Sequence, residues 1–509
     1  MATGEHTLLP DLASAARVQT DETAPLIPSL ASFVSEYRLR ITAISAAMVV
    51  PCLWHHQIAN SDLGSHLYNA WLAKLVEHHQ VSGMWVARQW TNVLFDLLLG
   101  AVGTFTSLLT AERIVVSLAV LIFFWGSFAL VSAASRRPPW FIVPLIAMVT
   151  YGWTFQMGFF NYYLSLGLSF FGIAIFWHGR GWERLLALAL VPLIALAHPL
   201  GLVWLVAASA YVVIAENLTG RWQWLLFFAG AALVIGGRYF IVHHYYVQDS
   251  MGSILRFNGA DQLSLFGHRY TAIKYAALAL AAVSLAIDAY RRYRQRLSWS
   301  AFIIPLQLYL IIELAVGMLP SGMLISRDLA AVALLTERLT SVSAVLACCL
   351  LGAMLPRRWH LAATGALAAV FFAFLYYDTG VLNHMEQQTE QLERTLPRNS
   401  RVMGTIFPLQ GSRVLIQHMI DRACIGYCFS YGNYEPGTGL FRVRAVHGSP
   451  YNLGNYDLSV DMEAGEYIVQ PQDLPVYQIY QCTESGTVLC IRPLQAGEQN
   501  NRLGVYRGE

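Results

Sequence analysis

Charge is scarce in this sequence. Asp, Glu, Lys and Arg make up 13% of the 509 residues, about half the share of a soluble globular domain, which excludes an ordinary water-soluble fold. The charges also cancel, 33 Lys+Arg against 31 Asp+Glu leaving a formal +2, so no global excess points to nucleic acid as a partner. Seven cysteines are too few for a fold built on disulfides. A P-loop, a dinucleotide-binding glycine turn, HExxH and GxSxG are absent, and nucleotide-driven chemistry in the cytoplasm is not expected. No period of 20 to 50 residues recurs, which argues against a solenoid, and the halves show none of the similarity of inverted-repeat transporters.

What the sequence has is apolar length. Hydrophobic residues are 56% of the chain and the mean hydropathy is +0.46. A crossing helix needs about 20 mainly apolar residues. Such runs stand at about 40–57, 113–134, 140–157, 161–177, 184–199, 200–216, 223–242, 272–290, 299–318, 338–355 and 360–378. The fold expected is an α-helical polytopic membrane protein of about 11 transmembrane helices, the division at His198-Pro199 resting on a proline alone. Threading eleven crossings puts Arg38, Arg40, Arg136, Arg137, Arg180, Arg184, Arg221, the Arg291–Arg296 run, Arg357 and Arg358 on one side. Basic loops are cytoplasmic, so the expectation is an inner (plasma) membrane protein with a cytoplasmic N-terminal arm (1–38), a membrane domain (39–380) and a periplasmic or extracellular C-terminal domain (381–509).

The tail regains charge, Gln, Asn, Gly and Pro. A polar helix over Asn383–Arg394, followed by short apolar runs at Arg401–Phe407, Gly439–Val446, Glu466–Val469 and Val476–Tyr480, predicts a small α+β domain. Cys424, Cys428, Cys482 and Cys490 are disulfide candidates in an oxidising compartment, metal binding being the competing idea; their connectivity is open. Asn433-Tyr434-Glu435-Pro436 precedes Phe441-Arg442-Val443-Arg444, whose arginines share one face of a strand.

The first outer loop, about 58–112, is too long for a plain connector. Residues 65–79 predict a helix with Leu67, Tyr68, Trp71, Leu72, Leu75 and Val76 on one face and His66, Asn69 and Glu77 on another. A second helix is expected from about Met84 to Leu99, with Arg88, Asn92 and Asp96 at steps of four. At the head of the first stands Asn60-Ser61-Asp62-Leu63-Gly64-Ser65-His66. Asp62 and His66 are four apart, a spacing that puts a carboxylate beside an imidazole for general-base work or for a divalent cation; the same spacing equally suits Asp62 or Ser65 as a helix cap.

A first span entering from the cytoplasm, an acid close behind it in a long outer loop, two interface helices, further spans and an outer C-terminal domain together resemble the GT-C glycosyltransferases. These include the protein mannosyltransferases and the lipid A aminoarabinose transferases. The resemblance covers the layout of the whole chain and implies a membrane enzyme that moves a hexosyl or pentosyl group from a polyprenyl-phosphate donor to an acceptor on the outer face. It implies Asp62 as catalytic base or metal contact, with Mg²⁺ or Mn²⁺ as the cofactor. The family's paired acids are absent here, Asp62 being followed by Leu63, and His66 is the candidate substitute.

For the rest of such a site the candidates are Asn69 on the same helix face, Asn161 in the turn from Gln156 to Tyr163, and Arg238 and Arg338 for the donor phosphate, a bidentate task for a guanidinium. Phe159, Tyr162 and Tyr163 are expected in an aromatic belt, and His198 in a structural role at its helix break. Arg238 and Glu313 are ionisable groups inside spans and potential partners. Further outward cations are Arg256, His268, Arg269, Lys274 and Arg327. The partners expected are membrane lipid, the polyprenyl-phosphate sugar and an acceptor that the sequence does not name. The alternatives are a transporter or flippase for a lipid-linked or polar solute, and a non-catalytic envelope assembly protein.

Overall fold

The computed structural model describes residues 30–179, 181–248, 257–324, 332–483 and 485–501. The N-terminal arm up to residue 29 and the arginines at 180, 256 and 327 lie outside them. Among the described residues, eight helices are long and apolar enough to cross a membrane: Leu108–Ser135, Phe160–His178, Pro199–Glu216, Arg221–His244, His268–Gln295, Ser300–Met318, Leu335–Gly352 and Arg358–Glu393. By helix length and hydropathy the chain is a multi-pass membrane protein. The other three expected runs are helical but compromised. Leu30–Val49 carries Glu36, Arg38 and Arg40, 140–157 breaks between Val143–Thr150 and Trp153–Gln156, and Trp182–Ala197 has 16 residues. The division at His198 is real: an extended His198 and Pro199 at the next helix's first turn separate two helices, as a ring without an N–H requires.

Membrane helices gain little from hydrophobic association and pack through small residues instead. Leu108–Ser135 meets Phe160–His178 at Gly126 and Gly167. A Cβ on Gly126 would lie 2.1 Å from the Gly167 carbonyl oxygen, and one on Gly167 2.7 Å from Phe123 Cα. At one end of the bundle the basic loops converge: Arg40 stacks on Trp140 at 5.6 Å, Arg136 pairs with Glu216 at 3.1 Å, Arg137 donates to the Met354 carbonyl, and Arg292 donates to that of Ala353 at 3.0 Å.

Among the described residues the eight short strands are β1 (Met84–Val86), β2 (Tyr246–Gln248), β3 (Gly322–Leu324), β4 (Arg401–Thr405), β5 (Phe429–Ser430), β6 (Val443–Ala445), β7 (Val476–Gln481) and β8 (Leu489–Pro493). The C-terminal sheet has the order β5-β4-β7-β8, with β4 parallel to both neighbours and β7 antiparallel to β8. Two of the apolar runs are strands near their expected bounds, β4 and β7. Gly439–Val446 contributes only the three residues of β6, and Glu466–Val469 only a bridge from Ile468 to Gln499. Disulfides join Cys424 to Cys428 and Cys482 to Cys490, the latter linking the ends of the β7–β8 hairpin.

The first outer loop departs from two parallel helices. The first is present as Leu63–Glu77. In place of a helix from Met84, the chain turns through Gly83 at φ +71° and forms β1, antiparallel to β6 with Trp85 opposite Arg444; Asn92 then takes φ +55°, and a shorter helix runs Leu94–Val102. Pairing with a strand far along the chain satisfies the backbone of Met84–Val86 and overrides the local four-residue period. Arg442, beside β6, pairs with Glu77 at 2.9 Å.

The first-loop helix is thereby held between the membrane bundle and the C-terminal sheet. Gly64 permits this: a Cβ there would lie 2.4 Å from the His418 carbonyl oxygen, a contact that neither backbone can relieve without the two segments separating. Gly64→Ala is expected to lower unfolding stability by about 1–3 kcal/mol, read as a drop in thermal midpoint, with no such loss for alanine at Gly100, which has open space around it.

Candidate functional site

Asp62 is the N-cap residue of the first-loop helix, yet its side chain makes no capping hydrogen bond. The turn between two membrane helices fixes its backbone. Ser61 N–H donates to Gln156 O at 3.0 Å and Asp62 N–H to Met157 O at 3.3 Å. Gly158, at φ +78°, leaves no room for a Cβ, which would lie 2.7 Å from Asp62 N. The Asp62 carboxylate, 19% exposed, accepts from Ser61 Oγ at 3.3 Å and lies 3.8 Å from His418 Nε2.

His418 comes from the C-terminal domain, at the head of the short helix Met419–Ala423. Its Nδ1 faces Asp421 at 3.4 Å and Glu463 at 3.7 Å. Burial alone would lower its pKa, but Glu463, Asp421 and Asp62 hold it up at about 10, so it is an imidazolium at neutral pH. Burial pushes the Glu463 carboxyl up to about 7, against the pull of His418.

A second arm starts at His66, which turns to Asp96 at 2.7 Å rather than to Asp62. Asn161 Nδ2 donates to the other Asp96 oxygen at 3.0 Å, and Phe95 N–H donates to Asn161 Oδ1 at 2.8 Å. Burial works against a charged His66, but Asp96 beside it raises its pKa to about 9. Ser65 donates to Glu435 at 3.0 Å, whose carboxyl burial lifts to about 7 despite His66 nearby. Asn69 Nδ2 reaches Ser65 Oγ at 3.1 Å and Asn433 Oδ1 at 3.4 Å, while its own Oδ1 is buried without a partner among the described residues. Asn433 in turn donates to Asp421 at 2.9 Å, which closes the network.

Arg338, in the first turn of Leu335–Gly352, approaches from the membrane side. Its guanidinium stacks on Phe159 at 4.1 Å and lies 5.9 Å from the ring of Tyr162. It contacts His198 Nε2 at 3.5 Å. Among the described residues no carboxylate lies within ion-pair distance of it, and its Nε is buried without a partner; Asp62 and Tyr434 are among the groups that face it at longer range. Of the residues expected in an aromatic belt, Tyr162 and Tyr163 are buried inside the bundle, and Phe159 is half-buried beneath the Arg338 guanidinium. Arg238 is elsewhere: its described hydrogen bond goes to the Met318 carbonyl, the C-terminal end of a neighbouring helix, where a cation meets the negative end of the dipole. Glu313 makes no ion pair with it. Arg269 is engaged by Asp378.

The structure thus gathers Asp62, His66, Asn69, Asn161 and Arg338 around one seam, and adds His418, Asp421, Asn433, Glu435 and Glu463 from the C-terminal domain. A divalent cation at Asp62 would compete with the His418 imidazolium for the same carboxylates. Among the described residues, the group with metal-ligand geometry is Glu393, Cys424 and Cys428, whose cysteines are joined to each other.

Four of these groups have pKa values raised on folding. Each therefore contributes stability that is complete below its ordinary value, 4.5 for Glu and 6.5 for His, and that is lost as pH rises through about 7 for Glu435 and Glu463 and about 9 to 10 for His66 and His418. The seam between loop and C-terminal domain is expected to loosen with rising pH. Amide exchange over residues 415–436 should be faster at pH 9.5 than at pH 6 after correction for intrinsic rates; the reverse order would contradict the protonation assigned here.

Comparison of the chain with protein-family models, with curated proteins and with solved structures gives no match.

Proposed function

We propose that this chain is a membrane glycosyltransferase of GT-C type, with eleven crossings and an outward-facing site, that moves a sugar from a polyprenyl phosphate to an acceptor at the outer face of the inner membrane. The observation that supports it best is the opposition of Asp62 and Arg338. A partly open carboxylate, with no structural hydrogen bond to its helix, faces a guanidinium that has no carboxylate of its own. Sugar transfer from a lipid phosphate needs both: a base for the acceptor hydroxyl and a cation for the phosphate that leaves. His418 supplies a further positive charge 3.8 Å from Asp62. A divalent cation, Mg²⁺ or Mn²⁺, belongs to this reading only as a competitor of His418.

The reading is tested by incubating purified protein with polyprenyl-phosphate sugars and following donor consumption by mass spectrometry; no consumption of any hexosyl or pentosyl donor would overturn it. Within that assay Arg338→Gln is expected to raise KM for the donor by roughly tenfold or more through loss of a charge-assisted phosphate contact. Its thermal stability should stay level or rise, because an unpaired cation is removed from a largely buried position.

A second reading, transport of a lipid-linked or polar solute, draws on Glu313. This carboxylate lies inside the membrane helix Ser300–Met318, 5% exposed, and among the described residues neither oxygen has a hydrogen-bond partner, the kind of group that marks solute pathways. Movement of donor across vesicles without its consumption would favour that reading.

A further inference from the structure

A cleft of about 520 Å³, lined by neither Asp62 nor Arg338, opens between the first outer loop, the outer end of Arg358–Glu393 and the segment 422–427. Its floor is apolar where Leu108 and Leu109 begin a membrane helix of 28 residues, so it sits where the lipid headgroups of that leaflet would lie. Its walls carry both signs of charge; the buried Arg422 is taken up by Glu112 and Glu386, which leaves one buried carboxylate and the arginines at the mouth.

Deep in the wall lies Glu393, 1% exposed. Its oxygens stand 3.2 Å from Cys428 Sγ and 3.6 Å from Cys424 Sγ, but these sulfurs form a disulfide and have no hydrogen to donate. Among the described residues no cation pairs with it. Beside it Gln57, 5% exposed, gives its amide N–H to Glu390 at 2.6 Å, while its Oε1 is buried with no partner among the described residues. Buried acceptors of this kind are rare unless something fills them. Both call for a donor, and an unpaired carboxylate calls for a cationic one. At the mouth the sign reverses. Arg398 is exposed and stacks on Tyr427 at 5.3 Å with no carboxylate partner among the described residues, and Arg394 is 73% exposed with Glu390 3.9 Å away.

We propose that this cleft binds the headgroup of a zwitterionic phospholipid bearing a primary ammonium, a phosphoethanolamine group, with the ammonium against Glu393 and Gln57, the phosphate under Arg394 and Arg398, and the acyl chains over Leu108 and Leu109. A primary ammonium has three N–H donors for the two orphaned acceptors; a quaternary ammonium has none. Arginine suits the phosphate. The proposal is independent of sugar transfer, since it uses neither Asp62 nor Arg338.

The test is native mass spectrometry of the full chain released from nanodiscs containing equal amounts of phosphatidylethanolamine, phosphatidylcholine and phosphatidylglycerol with matched acyl chains. Phosphatidylethanolamine should be retained in preference to both others. Glu393→Gln should lower its retention by about tenfold, to the level of phosphatidylcholine, and Arg398→Gln, at an exposed position where folding is not at stake, should weaken it too. Soluble phosphoethanolamine should displace the lipid, whereas inorganic phosphate should not. Equal retention of the ethanolamine and choline lipids by the wild-type chain, or displacement by inorganic phosphate alone, would overturn the proposal whether or not either variant folds.

Discussion

Asp62→Asn is expected to reduce sugar transfer by roughly 10²–10⁴-fold, the usual worth of a general base, while the protein folds and melts as before. The amide keeps the shape of the carboxylate. Little structural hangs on the charge, because the Asp62 side chain makes no capping hydrogen bond and, among the described residues, its polar partners are Ser61 Oγ and His418. His418 loses one of three neighbouring anions but keeps Asp421 and Glu463, so it remains protonated at neutral pH. Donor consumption, measured by mass spectrometry beside the thermal midpoint of each protein, separates chemistry from folding. Full activity in the variant would remove Asp62 from the mechanism and leave Arg338 without the role assigned to it.

The largest loss of stability is expected at Arg422. This side chain, 8% exposed, donates to Glu386 at 2.8 Å, to Glu112 at 2.9 Å and to the Ile58 carbonyl at 3.0 Å. It thus joins the C-terminal domain to the start of the first loop and to two membrane helices at once. Arg422→Ala strands two carboxylates in a buried setting. Breaking a buried pair from one side costs about 3–5 kcal/mol, and the variant should show early loss of the C-terminal domain to limited proteolysis. Converting Glu112 and Glu386 to Gln in the same chain should recover much of that loss, since the cost lies in the uncompensated charges. If the triple variant were as fragile as the single one, packing by Arg422 and not charge would be the cause.

Reading these features from sequence worked where the signal is local. The apolar period of residues 65–79 marks a helix because it needs no distant partner, and the break at His198 is legible because Pro199 removes an N–H. The cysteines of the tail are visible as candidates, but which pairs with which depends on turns that bring near neighbours together. Three-residue β1 is illegible for the opposite reason: its hydrogen bonds go to β6, far along the chain, and the spacing of Arg88, Asn92 and Asp96 imitates a helix. Asp62 stands out as an acid next to an apolar run, and Arg338 as a cation at the start of one. His418, Glu435 and Glu463 do not stand out, because they lie in a domain of ordinary polarity and become unusual only when docking buries them. Arg238 stands out as an ionisable group inside a span, as Arg338 does at the start of one, and its described hydrogen bond goes to a helix C-terminus.

The contact of Gly64 with the His418 backbone sets an order of assembly. Asp62 emerges from the ribosome long before His418 does, and every later membrane segment must be inserted before the tail can return to the loop that precedes them. Until that return the carboxylate lacks its imidazolium and the loop helix lacks its cover. A nascent or truncated chain therefore lacks the assembled seam, which forms in a late step, when the segment around His418 closes over the first loop.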